Sequence, residues 1–307
     1  MSFKLRAPRI EDAEALAELF NRASAELGDP PEISAEDLAT WMTAPDVNLE
    51  TDARIAVEGG RLTGAVDVMA QPLPKFWIDC RVLPSESDAL REALLDWAEE
   101  RTYEWASGQE DAVARFYTSS KDEQTRRAVE RRGYRLIRHS YRMRIDFDEE
   151  PAEPDWPDGI SVRPATPEDF RALHEAHQES FQDSWESHPE PFEEWCHWMT
   201  GYPTFDPSLW FVAEDGGKIA GFSLCKPHDA EEDVGWVRLL GVRRPWRGRG
   251  LGRALLVHSF GEFWRRGFHA VALGVDASSL TGANRLYENA GMRVVKHHDI
   301  FEKQLAG

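Results

Sequence analysis

Two stretches of this chain repeat one another at a separation near 157 residues, and no other feature limits its fold as much. Leu5-Arg6 followed by Glu11-Asp12 returns as Val162-Arg163 followed by Glu168-Asp169. Each copy reads as a short strand, a turn, then a helix opened by acidic residues at its positive end. The same shift carries Gly59-Gly60-Arg61-Leu62-Thr63-Gly64 onto Gly216-Gly217-Lys218-Ile219-Ala220-Gly221, in both places a glycine turn between apolar runs, as in a β-hairpin. Pro84 and Ala93-Leu94-Leu95 match Pro245 and Ala254-Leu255-Leu256 at a shift of 161, which implies a small length change in between. Near the ends, Gly133-Tyr134-Arg135-Leu136-Ile137-Arg138-His139 matches Gly291-Met292-Arg293-Val294-Val295-Lys296-His297 at a shift of 158.

A length of 307 residues is more than one core usually serves, so the repeat divides the chain into two domains, 1–147 and 158–307. The prolines and like charges of residues 148–157 disfavour both helix and strand and mark a linker. Each half runs strand, helices, hairpin, strand, helix, strand, helix, strand. That order has too few βαβ units for a doubly wound sheet and predicts a mixed α/β (α+β) fold, a mostly antiparallel sheet flanked by helices.

The most specific chemistry follows the strand-like run Trp236-Val237-Arg238-Leu239-Leu240-Gly241-Val242. A turn with Arg243, Arg244 and Pro245 leads into Arg247-Gly248-Arg249-Gly250-Leu251-Gly252-Arg253 and then a helix. A helix that begins inside a glycine-rich loop leaves backbone N–H groups unpaired at its positive end, ready for a pyrophosphate that glycines let come close. The spacing is not a Walker loop, since no Gly-Lys-Ser/Thr triplet follows. A dinucleotide fingerprint would need glycine at Arg253 or Leu255.

The pattern that fits is Arg-x-x-Gly-x-Gly after a strand ending in Leu-Gly-Val, and here the sequence resembles the GNAT superfamily of N-acetyltransferases. A second stretch carries the resemblance further. Gly274-Val275-Asp276 closes the next strand, and Gly282-Ala283-Asn284-Arg285-Leu286-Tyr287-Glu288-Asn289-Ala290-Gly291-Met292 looks like the family's Ala-x-x-x-Tyr-x-x-x-Gly-Phe helix and its exit. The likeness is to tandem-domain, mycothiol-synthase-like members. It implies acetyl-CoA as cosubstrate, no metal, and transfer of the acetyl group to a primary amine of a small acceptor by direct attack. Arg247, Gly248, Arg249, Gly250, Leu251, Gly252 and Arg253 would cradle the pyrophosphate, and the backbone of Leu240, Gly241 and Val242 would pair with the pantetheine arm like an added strand. An N–H of Val242 or Leu240 would polarise the thioester carbonyl, and Tyr287 would protonate the departing thiolate. Relatives often place an asparagine shortly before Ala283. Ser279 and Leu280 stand there instead, and Asn284 is either a substitute contact or a surface helix residue.

Attack on a thioester needs a neutral amine, hence a group that removes a proton. The strand glutamate of mycothiol-synthase-like members is replaced by Trp236, eleven residues before Arg247. Candidates for the base are then Glu232, in the run Glu231-Glu232-Asp233 before the strand, and Glu186, in the segment Ser180–Pro189 where such domains build the acceptor pocket.

In the first half the corresponding loop is Glu86-Ser87-Asp88-Ala89-Leu90-Arg91: every glycine is gone, and carboxylates stand where a pyrophosphate would lie. Val129 takes the place of Tyr287. The first half therefore reads as the same fold with its chemistry lost, expected to hold no cofactor and to pack against the second half. The arginines between Arg126 and Arg144 read as a salt-bridged or solvated face rather than a nucleic-acid patch.

Lys plus Arg number 36 against 55 Asp plus Glu, and a net charge of −19 opposes binding to nucleic acid. Cys80, Cys196 and Cys225 form neither a disulfide framework nor a zinc pattern. No apolar stretch is long enough to span a membrane, and the N-terminus shows no secretory signal, so a cytoplasmic protein is expected. The competing function is a non-catalytic acyl-CoA-binding or regulatory protein. Oligomeric state is left open.

Overall fold

The computed structural model describes residues 3–44, 47–70, 74–202, 204–228, 230–279 and 282–305. It divides into two units. The first comprises residues 1–140 and 296–307, the second residues 141–295. Relative to the sequence halves, each unit has given up its own last strand and received the other's.

The first unit contains strands β1 (Lys4–Arg6), β2 (Ala53–Glu58), β3 (Arg61–Ala70), β4 (Lys75–Val82) and β5 (Val113–Ser119). Its helices are α1 (Ala13–Glu26), α2 (Ala35–Met42), α3 (Leu49–Asp52), α4 (Asp88–Ala106) and α5 (Glu123–Arg131). Strand β6 (Arg135–Asp146) leaves for the second unit partway along its length. That unit continues with β7 (Ile160–Pro164), α6 (Phe170–Phe181), α7 (Phe192–Thr200), β8 (Trp210–Asp215), β9 (Lys218–Pro227) and β10 (Val234–Val242). It ends with α8 (Leu251–Arg265), β11 (Ala270–Asp276) and α9 (Ala283–Asn289), after which β12 (Arg293–Gln304) returns to the first unit.

Strand order is β1-β2-β3-β4-β5-β12 in the first unit and β6-β11-β10-β9-β8-β7 in the second. The described registers are antiparallel except β4 with β5 and β10 with β11, as the mixed, mostly antiparallel expectation requires. Both hairpin turns have two successive glycines at positive φ, Gly59 (58°) with Gly60 (85°) and Gly216 (55°) with Gly217 (78°), the backbone that a tight right-twisting hairpin demands. The duplicated starts have a physical cause as well. Arg6 grips Asp12 through two bonds of 2.7 Å, and Arg163 grips Asp169 at 2.7 and 2.8 Å, in each unit tying the first strand to the opening of the first helix.

Apolar side chains pack on both faces of each sheet. In the first unit Val66, Ile78, Phe116 and Phe301 meet Leu94 and Val129 on one face, and Ile55 and Ala65 meet Leu16 and Leu38 on the other. In the second, Phe211, Val237 and Leu273 pack under Leu255, Phe260 and Tyr287, while Phe222, Leu224 and Trp210 pack against Leu173 and Trp195. The arginine run is a salt-bridged face: Arg126, Arg127, Arg131 and Arg132 pair with Glu130, Glu123 and Glu92, and Arg132 also reaches Asp96 and Glu99. Among the described residues no helix is long and apolar enough to cross a membrane.

One core group titrates within an accessible range. His177 on α6 packs edge-on or tilted among the rings of Phe181, Trp195 and Phe222, and burial holds its pKa down to about 4. Between pH 6.5 and 4 the unfolded chain takes up a proton that the native His177 refuses, so stability must fall as pH falls through that window. At ~1.4 kcal/mol per unit the loss is about 3 kcal/mol. Urea midpoints measured from pH 7 to 4 should show this slope in the wild type and a smaller one in His177→Phe; equal slopes would refute the assignment.

Candidate active site

The site grows from a defect in β10. Its register with β9 slips between Val237 and Leu239, leaving Arg238 as a one-residue bulge, whereas β3 and β4 of the first unit pair without a slip. At the same point β10 parts from β11. Their parallel pairing covers Val234–Val237 with Ala270–Leu273, and beyond it the two strands run on without pairing each other. A wedge opens between them.

The backbone along the wedge is set by alternation. Arg243 donates its N–H to Ala220 O at 3.0 Å, so in an antiparallel ladder Gly241 and Leu239 also turn toward β9, while Leu240 and Val242 turn their N–H groups away from it, toward the wedge. Gly241 is required by packing, because a Cβ there would lie 2.3 Å from the ring of Phe222.

The loop after β10 ends at α8 without a side-chain cap. Gly248 (φ 73°) and Gly250 (φ 86°) hold left-handed conformations, and nothing lies within 4 Å of where their Cβ atoms would be. The first bond of α8 is Ala254 N–H to Gly250 O, so the N–H groups of Leu251, Gly252 and Arg253 have no acceptor within the helix. The arginines of this region divide by role. Arg247 braces the strand end, donating from Nε to Val242 O (3.0 Å) and from a terminal nitrogen to Ser180 O (2.9 Å). Arg243 pairs with Glu179 and Arg244 with Asp183. Exposed Arg249 and Arg253 make no ion pair among the described residues, which leaves two cations at an open, donor-rich helix start.

Helix α9 is brought against this start by Gly252, whose missing Cβ would sit 3.0 Å from Leu286. The next residue, Tyr287, is 8% exposed within the core under α8, and burial pushes its phenol up to about 12. Asn284 donates from Nδ2 to Asp276 O (3.1 Å) and Ala277 O (2.9 Å), fastening α9 to the end of β11, and its Oδ1 is buried without a partner. Ser279 lies in the same turn, and Leu280 falls outside the described residues.

The two expected bases lie apart from each other. Glu232 is exposed in the turn before β10, six residues ahead of the bulge, or ~20 Å along an extended strand. Its neighbour Glu231 is held by Arg142 and Arg144. Glu186 sits half-buried in the loop between α6 and α7 at φ 59°, with its carbonyl facing His188 Nδ1 at 3.0 Å. Further along that loop is Glu190, which sequence reasoning passed over. His174 donates from Nε2 to Glu190 O at 2.8 Å, and the Glu190 carboxyl lies within electrostatic reach of Arg238, His174, His188 and Glu194. Arg238 and Lys226 both stand over the ring of Tyr202, at 4.9 and 4.5 Å. No cluster of three or more metal-ligating side chains occurs among the described residues.

In the first unit the matching place is filled by the protein itself. Ser87 caps α4, accepting from Leu90 N–H at 3.4 Å. Arg91 is 1% exposed, with its guanidinium bonded to Thr125 (3.0 Å), Gln124 (2.9 Å) and Asp88 (3.0 Å). Val129 is fully buried.

Comparison with known proteins decides the family. The structure of a GCN5-related N-acetyltransferase from Sphaerobacter thermophilus superimposes with a TM-score of 0.83 at 34% sequence identity, covering 98% of this chain and 95% of that one. The chain belongs to the GCN5-related N-acetyltransferases. The model of the acetyltransferase (GNAT) family matches residues 170–292, a span that contains the bulge, the loop and Tyr287 of this GNAT protein. A mycothiol acetyltransferase of Streptomyces scabiei is 34% identical over 210 residues, 66% of this chain and 62% of the relative. One from Thermobispora bispora is 31% identical over 207 residues, 65% of this chain and 64% of the relative. These alignments thus span just under two thirds of the curated relatives. A tandem GNAT protein from the clavulanic acid biosynthesis pathway shares the fold, with a TM-score of 0.75 at 16% identity.

Proposed function

We propose that the second unit transfers an acetyl group from acetyl-CoA to a primary amine of a small molecule by direct attack, and that the first unit is a degenerate copy that binds no cosubstrate. The observation that carries this reading is the wedge beside β10, opened at Arg238 and leading to a bare helix start with two left-handed glycines. A pyrophosphate fits there: the N–H groups of Leu251, Gly252 and Arg253 lack helical acceptors, Gly248 and Gly250 leave room, and Arg249 and Arg253 supply charge. Leu240 and Val242 would pair with the pantetheine arm, and one of their N–H groups would stabilise negative charge growing on the thioester oxygen. When bound, acetyl-CoA supplies the activated acyl carbon. Tyr287, held neutral by burial, would donate its proton to the departing sulfur.

The relatives named mycothiol acetyltransferases make acceptors of that kind the first to try. Trp236 in place of the expected strand glutamate means that the proton must leave by another route. The capped α4 and the buried, fully bonded Arg91 support the silence of the first unit.

Titration calorimetry should therefore find a single acetyl-CoA per chain, and thiol release should appear when a panel of amines is added. Two equivalents bound would refute the silent first unit. Tight binding with no thiol released for any amine would replace the enzyme with an acyl-CoA-binding regulator.

A further inference from the structure

We propose that Glu190 is the general base of this site, the carboxylate that holds the acceptor's ammonium and takes its proton. The inference rests on the acetyl-transfer reading above and adds the group that reading lacks.

Most carboxylates of the second unit near β10 are already taken. Glu231 is bound by Arg142 and Arg144, Glu179 by Arg243, and Asp183 by Arg244 with Arg247 at 3.6 Å. Glu214 is held by Arg163, and Asp215 accepts from Trp246 Nε1 at 2.8 Å. Each of these is already committed to an ion pair or hydrogen bond with another side chain. Glu232 is exposed and lies at the wrong end of β10. Glu190 is half-buried and makes no ion pair among the described residues.

Position supports the choice. The backbone of Glu190 is pinned to α6 by the bond from His174, and Pro191 immediately after it fixes the entry to α7, so the carboxyl is not on a freely moving loop. Arg238, the bulged residue, is within electrostatic reach of it, and the bulge is where the wedge opens. The charged and titratable groups within electrostatic reach of Glu190 are Arg238 from β10, His174 from α6, His188 from its own loop and Glu194 from α7. Burial and Glu194 raise its affinity for a proton, and the two histidines and Arg238 oppose them, with a net shift upward from the ordinary carboxylate range. A carboxylate so placed takes a proton more readily than a solvated one.

The protons balance as follows. Glu190 takes one proton from the ammonium, freeing the nitrogen lone pair. A C–N bond to the acyl carbon forms and the C–S bond breaks. The second nitrogen proton is lost as the amide forms and balances the one that Tyr287 gives to sulfur. Glu190 returns its proton to solvent.

The test uses the full chain, acetyl-CoA and whichever panel amine the wild type acetylates fastest, with kcat and kcat/KM measured from pH 5 to 9. Glu190→Gln should lower kcat by about 100-fold or more and erase the acid limb of the profile, with acetyl-CoA affinity unchanged by calorimetry. Glu190→Asp, which keeps a carboxylate, should retain the limb at a reduced rate. Glu186→Gln and Glu232→Gln, at the two bases the sequence suggests, should each keep the acid limb. An active wild type whose rate and acid limb survive in Glu190→Gln overturns the inference and leaves acetyl transfer standing. A limb lost in Glu186→Gln or Glu232→Gln instead moves the base to that residue. A wild type that acetylates no amine overturns the acetyltransferase reading and this inference with it.

Discussion

Replacing Tyr287 with phenylalanine should lower kcat for acetyl transfer about 100-fold and leave acetyl-CoA binding and thermal stability nearly unchanged. The substitution removes one oxygen from a side chain whose ring packs in the core under α8, so no cavity forms and the packing energy stays in place. What would be lost is the proton that the proposed mechanism assigns to the leaving sulfur. Burial pushes the phenol up to about 12, so in the wild type this group remains protonated throughout the range in which the enzyme is assayed and contributes no alkaline limb of its own. The variant should accordingly be slower at every pH, with the shape of its profile kept. That signature separates it from Glu190→Gln, which should change the shape. A variant with wild-type kcat would reduce Tyr287 to a core aromatic.

The glycine-rich loop was legible as a bare helix start because its geometry is local. Glycines at positive φ, a bare helix start and the preceding strand are consecutive in sequence, and Gly248 and Gly250 follow from backbone geometry alone, whereas Gly252 answers to the close approach of Leu286 on α9. The duplicated starts were legible for a similar reason, since Arg6–Asp12 and Arg163–Asp169 close over six residues. The bulge at Arg238 was hidden. In sequence it appears only as part of the length change between matching segments, and nothing in one strand reveals which residue of its partner it skips. Glu190 was hidden for a related reason: its neighbours come from β10, α6 and α7, so its environment exists only after packing. Arg247 shows the limit from the other side. Its place in the motif suggested phosphate, whereas its side chain is used to brace Val242 and Ser180. The exchange of last strands was also beyond reach, because β6 and β12 have similar sequences and pattern alone cannot say which unit each one joins.

That exchange makes Phe301→Ala the substitution with the largest expected effect on stability, about 3–5 kcal/mol, and it fixes where the damage appears. Phe301 is near the C-terminus, yet it is fully buried in the first unit, directly opposite Phe116 of β5. The strand that carries it is anchored in that unit by polar contacts too. Lys296, 1% exposed, lies against Glu32 and 3.6 Å from Asp29, and Asp29 also accepts from Ser119 Oγ at 2.6 Å. Emptying the Phe301 site should weaken the core formed by β4, α4 and β5. Hydrogen exchange should therefore quicken in residues 76–116 and stay slow in α8 and β11. A chain whose units followed its sequence halves would give the reverse, with the loss confined to the unit that contains the glycine-rich loop. Slow exchange in 76–116 with fast exchange in α8 would refute the strand exchange itself. The expected pattern would instead mean that the first unit needs the chain's final strand to complete its core, so that it cannot finish folding until the second unit's sequence has been made.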